Sequence, residues 1–151
     1  MEIVELKDDK TFLKDYIRLC SLEWGVNKTS TEMEQFIDRR YNEIINNEYD
    51  KLITILFLVD NNTLIGFISL FKYDGDEKKD LTPWYATMYV KEEYRNKGYS
   101  KILNDALLKK TKDLGYDKIY LKSDLINYYE KFGAKYMETL KNNENLYYID
   151  L

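Results

Sequence analysis

The sequence predicts an α/β (α+β) fold in which helices cover a central sheet of mixed strand direction. Apolar residues recur at helical spacing in some segments and form short β-type runs in others, so both kinds of element are expected. One predicted helix lies between two predicted strands, and such a crossover unit requires parallel strands. The predicted order is β-α-α-β-β-β-α-β-α-β-β in a single domain, residues 1–151.

The first third of the chain predicts one strand and two helices. Residues 2–6 alternate weakly in polarity, as a short strand does. From Phe12 to Trp24 apolar residues recur every three or four positions, which predicts the first helix. An apolar stripe from Met33 to Ile45 predicts the second helix. Two possible capping boxes compete for the start of this helix: Thr29 with Glu32, and Thr31 with Glu34.

The middle of the chain predicts an antiparallel meander of three strands. Residues 51–59 and 64–71 are nearly continuous runs of apolar, β-preferring residues. The segment DNNT between them contains asparagines, which tolerate the positive φ of a tight hairpin turn. Gly66 indicates a bulge or a close packing contact within the second run. The third strand is WYATMYV, residues 84–90, which follows a polar loop.

The last third of the chain alternates helices with strands. Apolar positions from Ile102 to Leu114 predict a helix, and Gly115 is placed where a left-handed residue commonly ends a helix. The remaining predicted elements are a strand at residues 116–123, a short helix at 125–132 and a final strand pair at 134–140 and 145–151. The complete prediction therefore has about four helices around the sheet.

Composition excludes several kinds of chemistry and location. The chain has no histidine, which removes Ser-His and Cys-His nucleophile pairs and disfavours a zinc site, so no metal is expected. Cys20 is the only cysteine, which fits a reducing compartment. The N-terminus lacks the pattern of a signal peptide, and no apolar run approaches the roughly 20 residues that span a bilayer. We therefore expect a cytoplasmic protein that does not bind a membrane.

Charge is distributed unevenly along the chain. The net charge of −4 argues against a nucleic-acid partner. Residues 91–118 nevertheless contain eight basic and five acidic side chains, a net charge of +3. This segment indicates either an anionic ligand or an ordinary solvated helix face.

The segment MYVKEEYRNKGYSKIL, residues 88–103, joins a predicted strand to a predicted helix and has features of a phosphate site. The first turn of a helix presents about four unsatisfied N–H groups and the positive end of the helix dipole. Gly98 permits close approach of a ligand, and Ser100 is small. The segment is neither a Walker A loop nor a dinucleotide fingerprint. Three basic residues add positive charge around it: Arg95, Lys97 and Lys101.

This segment resembles motif A of the GNAT family of N-acetyltransferases, in which a strand ending in valine leads into [Q/R]-x-x-G-x-[G/A] at a helix start. The preceding LTPW resembles a bacterial subgroup, and YYEKFGA, about thirty residues downstream, resembles the family's Tyr-Glu-Lys-x-Gly segment. The resemblance covers nearly the whole chain in element order. It implies a mixed, mostly antiparallel sheet whose parallel middle strands splay apart.

The resemblance also implies acetyl-coenzyme A as the cosubstrate. Its pantetheine arm would pair with the backbone of Met88, Tyr89 and Val90, where the parallel strands splay. Its pyrophosphate would sit on the backbone amides of one loop, formed by Arg95, Asn96, Lys97, Gly98, Tyr99, Ser100 and Lys101. Because these are backbone contacts, the side chains there inform only about shape.

Acetyl transfer to an amine requires a proton acceptor for the amine and a stabilised leaving thiolate. Tyr129 matches the family tyrosine that acts as general acid, since a phenol with a pKa of about 10 can donate to sulfur. The glutamate that many members use as general base is replaced by Ala86. The alternatives that remain open are Glu23, Glu92, Glu93 and a chain of water molecules.

The leading hypothesis is therefore an N-acetyltransferase that moves an acetyl group directly from acetyl-coenzyme A to a primary amine of a small molecule or peptide. The resemblance makes Trp24, Tyr73 and Trp84 candidates for the wall of the acceptor pocket. The acidic remainder of the chain favours a cationic acceptor. The alternative, motivated by Ala86, is a non-catalytic module that binds or senses acyl-coenzyme A. A homodimer is left open.

Overall fold

The computed structural model describes residues 1–151 without a gap, and ten regular elements account for most of them. The strands are β1 (Glu2–Glu5), β2 (Leu52–Asp60), β3 (Thr63–Phe71), β4 (Trp84–Val90), β5 (Lys118–Ser123), β6 (Lys135–Thr139) and β7 (Asn145–Asp150). The α-helices are α1 (Leu13–Trp24), α2 (Ser30–Ile45) and α3 (Tyr99–Asp113), and two 3₁₀ turns occupy Glu92–Tyr94 and Tyr129–Phe132.

The seven strands form one sheet in the order β1-β2-β3-β4-β5-β7-β6. All neighbouring pairs are antiparallel except β4 and β5, which are parallel, so the predicted mixed sheet is confirmed. The prediction of about four helices is slightly too high, because residues 125–132 form only a single 3₁₀ turn. Asn127 has a φ of 60°, which interrupts a right-handed helix at that point.

Helices cover the sheet on both faces. The side chains of β2 alternate between two apolar clusters. Leu56 and Leu58 belong to the cluster under α3, whereas Ile55 and Phe57 belong to the cluster under α1 and α2. A strand buried on both faces has no polar side, which explains the unbroken apolar run in the sequence. None of the helices combines the length and the apolar composition that crossing a bilayer requires.

The turn between β2 and β3 and the glycine that follows it agree with the sequence prediction. Asn61 and Asn62 adopt φ values of 49° and 61°, as the tight hairpin requires. Gly66 lies so close to β4 that a Cβ atom there would collide with the carbonyl oxygen of Tyr89. This contact brings β3 and β4 together beside the start of α3.

β4 and β5 pair at one position only. Trp84 is the ladder partner of Tyr120, and the Tyr120 amide donates to the carbonyl of Pro83 at 2.9 Å. Beyond this pair, β4 and β5 form no further ladder pairs with each other. β4 also contains a bulge. In the pairing of β3 with β4, Ser69 is opposite Ala86 and Phe67 is opposite Tyr89. Two steps along β3 therefore correspond to three steps along β4, so β4 has one extra residue. The sheet is therefore open along its middle, beside the C-terminal half of β4.

A capping box fixes the start of α2. The Thr29 side chain accepts a hydrogen bond from the Glu32 amide at 3.2 Å, and the Glu32 carboxylate accepts one from the Thr29 amide at 2.8 Å. Of the two boxes that the sequence allows, the structure forms this one. Thr31 lies inside the helix and is exposed.

The capping box predicts unequal effects for two neighbouring substitutions. Thr29→Ala removes the cap and should lower the free energy of unfolding by about 1 kcal/mol. Thr31→Ala is the matched control, because it removes the same atoms from an exposed helical position. Urea denaturation monitored by circular dichroism measures both values, and equal losses would contradict the assignment of the cap.

Candidate active site

The main cavity of the protein opens where β4 and β5 separate. It has a volume of about 790 Å³ and is lined by residues of both strands, 85–88 and 121–123. Residues from α1 and α2 form further walls, and Tyr129 also lines it. The cavity thus lies at the only parallel pair of the sheet, where the edge of β4 that faces β5 has no strand partner.

Tyr129 is the first residue of the second 3₁₀ turn and is partly buried. Its ring packs edge-on against Tyr85 at 5.8 Å and against Tyr128 at 4.8 Å between ring centroids. Burial, together with the neighbouring Tyr128, raises the pKa of Tyr129 to about 12. The phenol is therefore protonated at neutral pH and can donate a hydrogen bond into the cavity.

The part of β4 that is predicted to bind the pantetheine arm begins at the wall of this cavity. Met88 lines the cavity, and Tyr89 stacks on Phe67 with 5.4 Å between ring centroids. One edge of Tyr89 and Val90 pairs with β3, while the other edge faces the gap toward β5. An extended ligand can pair with this second edge, because backbone N–H and C=O groups without a partner are strong hydrogen-bonding groups.

The loop before α3 has the form expected of an anion site. Asn96 and Gly98 adopt φ values of 63° and 83°, and Gly98 is the N-cap of α3. No side chain caps this helix, so the amides of its first turn have no side-chain partner. A Cβ atom at Gly98 would meet nothing within 4 Å, so the space beside Gly98 at the start of the helix is free.

Arg95 connects this loop to the end of β4. Its Nε donates to the carbonyl of Val90 at 2.8 Å, and its guanidinium lies 5.5 Å from the centroid of the Tyr89 ring. Lys101 instead pairs with Asp105, one turn along α3, at 2.6 Å. The structure therefore brings the predicted loop, Arg95–Lys101, next to the predicted strand, although the loop does not line the cavity.

A group of buried hydroxyls lies behind the bulge in β4. The Tyr16 hydroxyl is 2.7 Å from Ser69 Oγ and 3.4 Å from Thr87 Oγ1, and Thr87 also contacts Ser69 directly. Thr87 has a φ of 47°, which is unfavourable for a β-branched residue. The hydroxyl contacts hold this bulge in place. The sequence gives no sign of it, because threonine normally favours regular strands.

The three residues predicted to wall an acceptor pocket lie in different places. Trp24 lines the cavity, is 53% exposed and packs edge-on against Tyr89. Trp84 is fully buried, and its indole N–H donates to the carbonyl of Leu81 at 2.7 Å. Neither Trp84 nor Tyr73 lines the cavity.

The cavity contains carboxylates that the sequence analysis did not select. Asp74, in the loop after β3, lines it together with Asp124 and Glu144. Burial raises the pKa of Asp74, and the charges of Lys122 and Lys51 oppose this increase. Glu23, Glu92 and Glu93 do not line the cavity, whereas Ala86 does. Asp74 was missed because its loop contains several acidic residues and no motif distinguishes one of them.

Solved structures from other proteins share this fold. A PaiA N-acetyltransferase from Thermoplasma acidophilum, solved with coenzyme A, is 22% identical, with a TM-score of 0.61 and complete coverage of both chains. An aminoglycoside 6′-N-acetyltransferase complexed with coenzyme A is 20% identical, with a TM-score of 0.67 over 98% of this chain and 94% of the other. An N-acetyltransferase from Staphylococcus aureus Mu50 is 18% identical, with a TM-score of 0.65 over 99% of each chain.

The family assignment rests on a sequence profile as well as on the fold. No curated protein matches the chain closely enough in sequence to suggest a specific activity. The profile of the acetyltransferase (GNAT) family matches residues 14–134, which contain the bulged strand, the loop before α3 and Tyr129. The chain therefore belongs to the GNAT family of acetyltransferases.

Proposed function

We propose that this protein is an acetyl-coenzyme A dependent N-acetyltransferase that transfers the acetyl group directly to a primary amine of a small molecule or peptide. The observation that carries the proposal is the meeting of two features at one cavity, with a third feature next to it. A protonated tyrosine, Tyr129, faces the same space as the unpaired edge of β4, and β4 leads to an uncapped helix N-terminus. Family membership supports acetyl transfer as the reaction class.

The residues of this chain fit acetyl-coenzyme A, which when bound supplies an activated acetyl thioester. The amides of the loop Arg95–Lys101 hold the pyrophosphate, aided by the positive end of the α3 dipole. The free edge of β4 at Met88, Tyr89 and Val90 holds the pantetheine arm as an added strand does. This arrangement directs the thioester end toward the cavity that Tyr129 lines.

Tyr129 is proposed as the general acid. A phenol with a pKa of about 10 keeps its proton at neutral pH, and burial raises the pKa of Tyr129 further, so the hydroxyl can donate a hydrogen bond to the sulfur as negative charge develops there. Packing against Tyr85 and Tyr128 limits the orientations of the ring. Such positioning matters because misplacement of a reacting group is costly to the rate.

Asp74 is proposed as the proton acceptor that replaces the missing glutamate at position 86. It is a partly buried carboxylate in the cavity, and its raised pKa makes it a stronger base than an exposed aspartate. The Lys122 ammonium donates to the carbonyl oxygen of Asp74 at 2.8 Å, which anchors the loop. The proton passes to Asp74 directly or through one water molecule.

The second candidate function is a non-catalytic module that binds acyl-coenzyme A. Ala86 favours it, because this residue presents only a methyl group to the cavity where many relatives carry a base. The two functions differ in the consequence of removing the Tyr129 hydroxyl. A binding module would show no turnover before or after that change, whereas an enzyme would lose turnover and keep its affinity for acetyl-coenzyme A.

The proposed pyrophosphate site can be tested by a substitution at the start of α3, with the same substitution at the end of α3 as its control. Gly98→Glu introduces a negative side chain at the helix N-terminus and should weaken acetyl-coenzyme A binding at least about tenfold, or about 1.4 kcal/mol, by calorimetry. Gly115→Glu is the matched control, because Gly115 has a similar φ of 98° and equally open surroundings at the other end. Unchanged affinity in Gly98→Glu would refute the loop as the pyrophosphate site.

Removal of one hydroxyl tests the general acid. Tyr129→Phe should lower kcat about a hundredfold while the affinity for acetyl-coenzyme A stays the same, since general acid catalysis contributes about 10²- to 10⁴-fold. Tyr128→Phe is the control, because Tyr128 packs on Tyr129 but does not line the cavity. If both variants retain the wild-type kcat, Tyr129 is not the acid.

The proton acceptor predicts a pH dependence. Because the pKa of Asp74 is raised, its carboxylate form is lost as pH falls through that raised value, and the rate should fall with it. Asp74→Asn should lower kcat/KM and remove this acidic limb. The ratio of wild-type to Asp74→Asn rates, plotted against pH, cancels the titration of the acceptor amine. Asp76→Asn, a fully exposed neighbour in the same loop, should behave as wild type.

A further inference from the structure

Four basic side chains line the cavity, and three of them have no ion-pair partner. Lys28, Lys51 and Lys122 form no salt bridge, although the chain contains more acidic than basic residues. Arg40 pairs with Glu43 on its own helix through Nε at 3.0 Å. All four are partly buried, so each has lost part of its hydration.

Three of these cations form a continuous row along one wall. Lys28 and Arg40 lie over the same Phe36 ring, at 4.5 and 5.1 Å from its centroid. Arg40 also lies 4.0 Å from the centroid of Tyr49, and Lys51 is 5.7 Å from that ring. We refer to Lys28, Arg40 and Lys51 as the basic row.

The aromatic rings hold the basic row in place without neutralising it. A ring face attracts a cation through its quadrupole but does not cancel its charge. Arg40 and Lys51 both lie near the Cys20 thiol. Burial raises the pKa of Cys20, and the positive charges of Arg40 and Lys51 lower it. Like charges gathered in a partly desolvated wall repel one another, and an anion placed among them would relieve that repulsion.

The basic row is separate from the proposed phosphate loop. No residue from Arg95 to Lys101 lines the cavity. The row is built from the loop between α1 and α2, from α2, and from the residue just before β2. The carboxylates of the cavity belong to other segments, namely the loop after β3, the end of β5 and the turn before β7. The cavity therefore has a positive wall and acidic groups that belong to other segments, and the two meet at Lys51, whose charge opposes the increase in the pKa of Asp74.

We infer that the acceptor is an amine that also carries an anionic group, a carboxylate or a phosphate, which the basic row binds. The inference rests on the proposed acetyltransferase function and adds a substrate class to it. The acceptor amine then lies on the side of Asp74, Ala86 and Tyr129. This differs from the cationic acceptor that the acidic composition favours, because a purely cationic molecule would be repelled by the row.

Matched pairs of acceptors test the inference. The probes are the common α-amino acids with their carboxamides, and 2-aminoethyl phosphate with ethanolamine. KM is measured by release of the coenzyme A thiol, and affinity is measured by calorimetry with coenzyme A bound, which does not require turnover. At least one anionic probe should have a KM and a Kd about tenfold lower than its neutral partner. The pair that responds distinguishes a carboxylate from a phosphate.

Substitutions in the row separate charge recognition from structural damage. Arg40→Gln and Lys28→Met should each raise KM about tenfold for the preferred anionic probe, with little change in kcat or in the KM of its neutral partner. Arg39→Gln is the matched control, because Arg39 also lies over the Phe36 ring, at 5.4 Å, but does not line the cavity. Arg40→Lys should restore part of the preference.

The outcomes distinguish the inference from the function on which it rests. If amines are acetylated but no anionic probe is preferred by KM or Kd, the inference is wrong and the acetyltransferase function stands. If no amine is acetylated but an anionic probe binds in a manner that Arg40→Gln abolishes, the anion site stands and the proposed function fails. Equal losses for anionic and neutral partners in Arg40→Gln would also overturn the inference.

Discussion

The separation of β4 from β5 after a single ladder pair is the constraint on which the site depends. If pairing continued past Trp84 and Tyr120, the second edge of β4 would be occupied and the cavity would be filled. The bulge at Thr87 lies three residues beyond Trp84 and changes the direction of the strand. Its unfavourable backbone angle is held by contacts with the buried hydroxyls of Tyr16 and Ser69.

The two helical layers use this opening in different ways. α1 and α2 lie on one face of the sheet and contribute walls to the cavity, which is the proposed acceptor site. α3 covers the other face, and its N-terminus lies next to the end of β4. The proposed acceptor site and the proposed cosubstrate site therefore lie against different helices.

The sequence predicts the elements well, because periodicity, caps and turns depend on neighbouring residues. The hairpin asparagines and Gly66 could be recognised locally, and the cap of α2 could be narrowed to Thr29 or Thr31. The 3₁₀ turn at Tyr129 could not, since a four-residue turn and a short helix contain similar apolar spacing. The charges of the cavity could not be predicted either. Lys28, Arg40 and Asp74 are distant in sequence, and only the packing of α2 and of the loop after β3 brings them to one cavity.

The hydrogen bond from Arg95 to the carbonyl of Val90 has a further consequence for binding energetics. It joins the loop before α3 to the strand edge, so the two surfaces proposed to hold the two halves of the cosubstrate are fixed relative to each other. A flexible ligand loses conformational freedom when it binds, but a surface that is already ordered adds little to that loss. The entropy of ordering this part of the site is therefore spent when the chain folds rather than at each round of ligand binding.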